Sequence, residues 1–145
     1  MGKLLAIANK LNSRGKMIAY DKAFLSSETG VENDFRGKVE HRKVTIVSKE
    51  SWDKVCTEMG KQIPWTARRA NLLVEGIDLQ SSTGKKIQIG SEVVLEITGE
   101  TKPCKRMNEE FEGLLNAMEP EWRGGVICTV IKEGPIIVGD EILVI

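Results

Sequence analysis

Short segments in which apolar residues alternate with polar ones, or run together, recur along the chain between glycine-containing turns. Lys43–Val47 alternates and is rich in β-branched residues, which is typical of a half-buried strand, whereas Val126–Ile131 is apolar enough for the centre of a sheet. Further candidate strands are Leu4–Ala8, Leu72–Glu75, Ile87–Ile89, Val93–Thr98, Ile136–Val138 and Glu141–Ile145. Many short strands of this kind predict a barrel or a sandwich rather than an alternating βαβ fold.

Two helices are predicted within this strand pattern. Ser48 is a suitable N-cap for the first helix, which should end before Gly60. Its apolar face has helical spacing and consists of Trp52, Val55, Cys56 and Met59. Asn108 predicts the start of the second helix, and Pro120 lies just beyond its end. The apolar face of this helix consists of Phe111, Leu114, Leu115 and Met118. Between residues 15 and 40 we expect long loops around short extended pieces.

Length and charge narrow the class of protein. A chain of 145 residues suits a single domain, residues 1–145, whose core needs neither a disulfide nor a metal. The 21 Lys and Arg residues balance 21 Asp and Glu residues, which argues against nucleic acid as a partner. The first apolar run, Leu4–Ala8, is too short for a secretion signal or a membrane span. We therefore expect a cytoplasmic protein without a membrane partner; no pattern indicates an oligomeric state.

The numbers of cysteine and histidine residues exclude several kinds of site. The three cysteines lack a C-x-x-C pair, which excludes a disulfide framework and a zinc knuckle. A single histidine, His41, excludes a histidine-rich metal site. Cys56 and Cys128 occupy apolar positions of a predicted helix and a predicted strand, and we expect both to be structural.

The surroundings of Cys104 are different. It follows Pro103 in a predicted loop between a strand and the second helix, and Lys102, Lys105 and Arg106 flank it. Nearby cations and a helix N-terminus favour the thiolate, which nucleophilic attack, persulfide formation and soft-metal binding all require. The residues alone leave open the alternative that Cys104 is an exposed loop cysteine without a function.

The segment around Cys104 resembles the MOSC domain family, a module also found at the C-terminus of molybdenum-cofactor sulfurase. In that family a strand ends in a Pro-Cys pair before a helix, as Leu95–Met107 does here. Five other segments resemble family motifs in the same order, over about Gly30–Glu141. They are Gly30–Asp34, His41–Val44, Arg69–Leu72 with Gly76–Leu79, Arg123–Val126 and Val138–Glu141.

The resemblance implies a fold and a set of possible activities. The expected fold is mainly β, a distorted and partly closed β-barrel of the pyruvate-kinase type with peripheral helices. Cys104 would carry sulfur as a persulfide received from a pyridoxal-phosphate cysteine desulfurase, or would bind the molybdenum of the molybdenum cofactor (molybdopterin). A desulfurase or a molybdoenzyme is the implied partner, and pyridoxal phosphate would belong to that partner. The alternatives are a molybdenum-cofactor-dependent reductase of N-hydroxylated compounds and a non-catalytic interaction module, so whether the protein is an enzyme stays open.

The resemblance also implies a set of residues that bind an anion or cofactor near Cys104. The set is Asp34, His41, Arg69, Asn71, Lys102, Lys105, Arg106 and Arg123. Arg69 and Asn71 could recognise a phosphate or carboxylate, or form a surface ion pair and a turn. Arg123, with the two glycines after it, could present backbone N–H groups to an anion or form a plain turn. Asp34 would orient the site or cap a turn.

Overall fold

The computed structural model describes residues 1–12, 15–34, 44–103, 105 and 107–145, apart from the side chain of Glu110. Three residues that the sequence analysis singles out, His41, Cys104 and Arg106, lie outside these ranges, as does Lys43 at the start of a predicted strand.

The described residues form eleven strands and three α-helices. The strands are β1 (Gly2–Asn9), β2 (Ile18–Tyr20), β3 (Lys22–Ser26), β4 (Gly30–Val31), β5 (Val44–Ser48), β6 (Leu72–Glu75), β7 (Lys86–Ile89), β8 (Val93–Glu100), β9 (Val126–Lys132), β10 (Gly134–Ile137) and β11 (Glu141–Val144). The helices are α1 (Lys49–Met59), α2 (Met107–Glu110) and α3 (Leu114–Met118), with 3-10 turns at Trp65–Arg68 and Pro120–Trp122. No helix of the described ranges is long and apolar enough to cross a membrane.

Seven of the described strands close into a barrel. They follow the order β11-β7-β8-β9-β5-β6-β1, and the barrel closes because β11 also pairs with β1. The β5–β6 pair is parallel, whereas the other described pairs are antiparallel. β2 pairs with β1, and a small separate sheet has the order β10-β3-β4. The prediction of a mainly β barrel with peripheral helices is confirmed.

Helix α1 makes the crossover between the parallel strands β5 and β6. The Ser48 side chain accepts a hydrogen bond from the Ser51 N–H at 3.1 Å, which satisfies one of the free donors at the start of the helix. At the other end the Gly60 N–H donates to the Thr57 carbonyl at 3.2 Å. The predicted first helix and both of its caps are therefore confirmed.

The prediction of a single second helix is wrong, because the chain forms the two short helices α2 and α3 instead. Gly113 lies between the two helices and has a φ of 92°, a backbone conformation that is not found inside an α-helix. Asn108 lies within α2, and its Oδ1 accepts hydrogen bonds from the N–H groups of Gly113 (3.2 Å) and Leu115 (3.1 Å). Asn108 therefore stabilises the start of α3 rather than the start of one continuous helix.

Two apolar clusters hold these elements together. Side chains of nearly every strand fill the barrel, including the fully buried Leu4, Ile46, Leu72, Ile87, Leu95 and Ile97. A second cluster packs α1 against α2 and α3, and consists of Trp52, Val55, Cys56, Ile63, Met107, Leu114, Ala117 and Met118. The buried Trp52 indole N–H donates to the Ile63 carbonyl at 2.8 Å, so its polar group is satisfied inside this cluster.

A tight turn before β9 brings two backbones into contact. Gly125 has a φ of 92°, and a Cβ atom at this position would lie 2.0 Å from the Ile46 carbonyl oxygen of β5. The Gly125 N–H donates to the Trp122 carbonyl at 2.9 Å. This N–H is therefore used within a turn, which favours the turn interpretation of the two glycines over an anion site at Gly125.

We predict that Gly125→Ala destabilises the protein by several kcal/mol, because the left-handed conformation alone costs roughly 1–2 kcal/mol for a side chain and the clash with β5 adds to it. Gly139→Ala is the matched control: its φ is 102°, but no atom lies within 4 Å of the added Cβ. Urea unfolding of both variants measures the difference. Equal losses of unfolding free energy would show that the approach to Ile46 is unimportant.

Candidate functional site

The two cysteines that the structure describes are both buried. Cys128 lies in the barrel core, and this burial raises the pKa of its thiol. Cys56 packs in the helical cluster, where its thiol donates to the Ile63 carbonyl at 3.7 Å. Cys128 is fully buried and Cys56 is 7% exposed, so burial limits the access of a molecule in solution to either thiol. Cys104, outside the described residues, is therefore the remaining candidate for thiol chemistry.

The chain that leads to Cys104 is fixed by hydrogen bonds where β8 ends. The Thr101 N–H donates to the Gly125 carbonyl at 2.9 Å. Arg68, which is 4% exposed, donates from Nε to the Gly124 carbonyl (2.8 Å) and from Nη2 to the Thr101 carbonyl (3.2 Å). The Thr101 hydroxyl is buried and has no partner among the described residues. The family motifs did not single out Arg68, yet it holds the backbone three residues before Cys104.

The charges next to Cys104 are mixed. Lys102 and Lys105 are exposed. A surface cavity of about 330 Å³ is lined by Lys102 and Pro103 together with Glu100 and Glu119. Lys102 therefore shares this cavity with two acidic residues.

Asn71 sits between three strands of the barrel. Its Oδ1 accepts from the Thr45 N–H (3.0 Å) and the Thr45 hydroxyl (3.2 Å), and its Nδ2 donates to the Ala8 carbonyl (3.1 Å). It is 3% exposed. The amide that was expected to bind an anion is thus engaged in tying β1, β5 and β6 together.

Asp34 and Asn9 each have a buried oxygen atom for which the described residues provide no hydrogen-bond donor. Asp34 Oδ1 accepts from the Lys10 N–H at 3.1 Å, and Asn9 Nδ2 donates to the Glu32 carbonyl at 2.8 Å. The other oxygens, Asp34 Oδ2 and Asn9 Oδ1, are buried without a hydrogen-bond partner in the described part of the chain. Because a carboxylate only accepts hydrogen bonds, Asp34 suits a ligand with N–H or O–H donors, and not an anion.

Arg69 uses only one nitrogen of its guanidinium, Nη2, in hydrogen bonds to the described residues. It is half-buried with a φ of 64°, and its Nη2 donates to the Gly15 carbonyl. Asp34, Arg69 and Asn71 thus all bond to the backbone of one stretch, at Lys10, Gly15 and Ala8 respectively. The structure brings these three predicted residues to the same region, where β1 ends and β6 begins.

Arg123 lies in a different environment from those three residues. It is 6% exposed, and its Nη2 contacts carboxylate oxygens of Glu58 (2.7 Å) and Glu121 (2.9 Å). Its Nη1 donates to the Ala117 carbonyl at 3.0 Å. The hydrogen bond with Glu58 raises the pKa of Arg123 and lowers that of Glu58. Arg123 therefore links α1 to the chain after α3, with its charge already compensated.

We predict that Asn71→Ala lowers the free energy of unfolding by about 2–4 kcal/mol, because it leaves the buried Thr45 N–H without an acceptor. Asn108→Ala is the matched control, since it removes the same side chain from an exposed cap and should cost about 1 kcal/mol. Chemical denaturation compares the two. If Asn71→Ala lowers the free energy of unfolding no more than Asn108→Ala does, the buried hydrogen bonds of Asn71 do not stabilise the barrel as expected.

We predict that the Glu58–Arg123 pair makes stability depend on pH. Because the pKa of Glu58 is lowered in the folded protein, the pair stabilises it above the pKa of an unfolded glutamate, and this contribution disappears as the pH falls through the lowered value. Glu58→Gln should lower the melting temperature at pH 7 and have no effect near pH 2. Glu109→Gln, at an exposed position without an ion pair among the described residues, should change neither value.

Comparison with known proteins agrees with this architecture. The structure is similar to the YuaD protein from Bacillus subtilis, with a TM-score of 0.82 and 24% identity over 98% of this chain and 94% of that one. It is also similar to YiiM from Geobacillus stearothermophilus (TM-score 0.80, 13% identity, 100% of this chain and 75% of that one). YiiM from Escherichia coli gives a TM-score of 0.74 at 17% identity, over 99% of this chain and 69% of that one. These likenesses show the fold.

No curated protein matches the chain. The family model of the MOSC domain matches residues 30–143, which include the barrel strands from β5 to β9, most of β11 and the position of Cys104. The chain belongs to the MOSC domain family.

Proposed function

We propose that this MOSC protein carries sulfur on Cys104, whose thiolate accepts a sulfane sulfur from a cysteine desulfurase and holds it as a persulfide. The burial of Cys56 and Cys128 supports this assignment, because it leaves Cys104 as the candidate for a reactive thiol. The fixed backbone at Thr101 supports it further, since a nucleophile needs a defined position relative to its donor.

The proposed transfer conserves sulfur and needs no added oxidant. The Cys104 thiolate attacks the outer sulfur of the persulfide on the desulfurase, and a new S–S bond forms as the S–S bond of the donor breaks. The desulfurase cysteine leaves as a thiolate, and the terminal sulfur with its proton now belongs to Cys104. The exposed ammonium groups of Lys102 and Lys105 would stabilise the persulfide when it loses that proton.

A second candidate function is a molybdenum-cofactor-dependent reductase of N-hydroxylated compounds. The unpartnered buried oxygens of Asp34 and Asn9 favour it, because a pterin presents N–H donors that such acceptors bind. Arg69 would hold the phosphate of the cofactor with the part of its guanidinium that Gly15 does not use. The residues present therefore fit the group, which would supply two-electron redox chemistry with Cys104 as a ligand of its metal.

We predict that incubation with a pyridoxal-phosphate cysteine desulfurase and cysteine adds the mass of one sulfur atom to the protein, as measured by intact mass spectrometry. Cys104→Ser should abolish this adduct without a change in melting temperature. Cys56→Ser and Cys128→Ala serve as controls and should keep it, because these thiols are buried. A reducing agent should remove the adduct, as expected of a persulfide.

An adduct that persists in Cys104→Ser, or that never forms in the unmodified protein, would rule out the sulfur-carrier function. The reductase function is tested separately, by metal analysis of protein from a host that makes the molybdenum cofactor. Stoichiometric molybdenum that Cys104→Ser loses would favour the reductase over the carrier.

A further inference from the structure

A buried arginine outside the family motifs connects two neighbouring segments of backbone. Arg68 belongs to the 3-10 turn before β6, whereas its two acceptors follow β8 and precede β9. The bonds leave from Nε and Nη2, two donors on one edge of the planar guanidinium, and reach Gly124 at 2.8 Å and Thr101 at 3.2 Å. A single side chain thus sets the spacing between two backbone carbonyl groups, one just after β8 and the other just before β9.

We propose that Arg68 is a positioning residue for Cys104, which fixes the segment Thr101–Pro103 so that the thiol after it has a defined position. The inference deepens the proposed function, on which it rests. Arg68 does not itself react; it acts through the backbone that it holds.

The segment before Cys104 is restrained on several sides. Both polar groups of the Thr101 backbone are bonded, the N–H to Gly125 and the carbonyl to Arg68. The ring of Pro103 lies against Gly124, where an added Cβ would be 3.2 Å from the proline Cδ. Proline also disfavours helical backbone angles at Lys102. Thr101 and Pro103 are therefore both held against neighbouring backbone.

Arginine suits this place better than lysine. A lysine ammonium is a point charge on a flexible stem and cannot give two parallel hydrogen bonds from a planar edge. Arg68→Lys therefore keeps the positive charge while it loses the fixed spacing. Arg68→Met removes the charge as well as the fixed spacing and keeps a long apolar side chain. Comparison of the two variants therefore separates the effect of the charge from that of the hydrogen-bond geometry.

Gly124 offers a test of the same segment without any change of charge. Its φ is not left-handed, so the backbone accepts alanine, but the added Cβ would lie 2.4 Å from the Thr101 carbonyl oxygen. Gly124→Ala should therefore displace the segment that Arg68 holds. Gly99→Ala in β8 is the matched control, because its Cβ would meet no atom within 4 Å.

The experiment compares Arg68→Met, Arg68→Lys and Gly124→Ala with the unmodified protein. Three quantities are measured: the rate of sulfur loading from the desulfurase, the pH midpoint of Cys104 alkylation by iodoacetamide, and hydrogen exchange at the Thr101 amide. We expect Arg68→Met and Gly124→Ala to slow loading about 10- to 100-fold and to move the midpoint towards the ordinary cysteine value of about 8.5. Hydrogen exchange at the Thr101 amide should become faster in both variants. Arg68→Lys should give values between those of the unmodified protein and those of Arg68→Met.

Two controls separate positioning from general stability. Gly99→Ala should leave all three quantities unchanged. Leu25→Ala, a cavity-forming change at a fully buried position of the small sheet, should lower the melting temperature while the loading rate and the alkylation midpoint stay as in the unmodified protein. If Arg68→Met does not fold, the comparison of Arg68→Lys and Gly124→Ala with Gly99→Ala decides the matter.

The positioning role is overturned if Arg68→Met or Gly124→Ala speeds Thr101 exchange but leaves both the loading rate and the alkylation midpoint unchanged, because Arg68 is then only structural. It is also overturned if Leu25→Ala shifts the midpoint as much as Arg68→Met does. An unmodified protein that accepts no sulfur, but whose alkylation midpoint still responds to Arg68→Met, would refute the sulfur-carrier function and leave the positioning role intact.

Discussion

Buried backbone groups at the ends of strands need hydrogen-bond partners, and in this barrel the short segment before β6 supplies several of them. Arg68 donates to the carbonyls of Gly124 and Thr101, and Asn71 binds backbone groups of Thr45 and Ala8. An unpaired buried carbonyl or N–H would cost free energy comparable to a lost hydrogen bond. The bonds of Arg68 therefore also fix the chain that leads to Cys104, and those of Asn71 hold β1, β5 and β6 together next to the segment that Asp34 contacts.

The strands could be predicted from the sequence because their signal is local. The short apolar run at Leu72–Glu75 predicted a strand with its observed bounds, and the cap residues of α1 were predicted correctly. The second helix was predicted wrongly because its apolar stripe outweighed Gly113, whose conformation breaks the helix in two. The apolar stripe is present in the sequence whether or not the helix is broken, because the same side chains pack in the cluster around α1 in either case.

The candidate functional residues were harder to predict because their partners are distant in sequence. Arg68 reaches acceptors that are 56 and 33 residues away, and both are backbone carbonyls, which carry no sequence signal. The family motifs placed Asp34, Arg69 and Asn71 in one set of binding residues, but they could not show that the Asn71 amide is engaged within the barrel. Arg123 resembles an anion-binding residue in sequence, whereas its charge is compensated by Glu58 and Glu121.

The proposed function requires one thiol that is reachable and ionised while the other two are buried. The most direct measurement is the pH dependence of alkylation at each cysteine of the unmodified protein, followed by peptide mass spectrometry. We expect Cys104 to be modified with a midpoint clearly below about 8.5, and Cys56 and Cys128 to react only after unfolding. A Cys104 that is protected like the other two, or that titrates at or above about 8.5, would contradict the account.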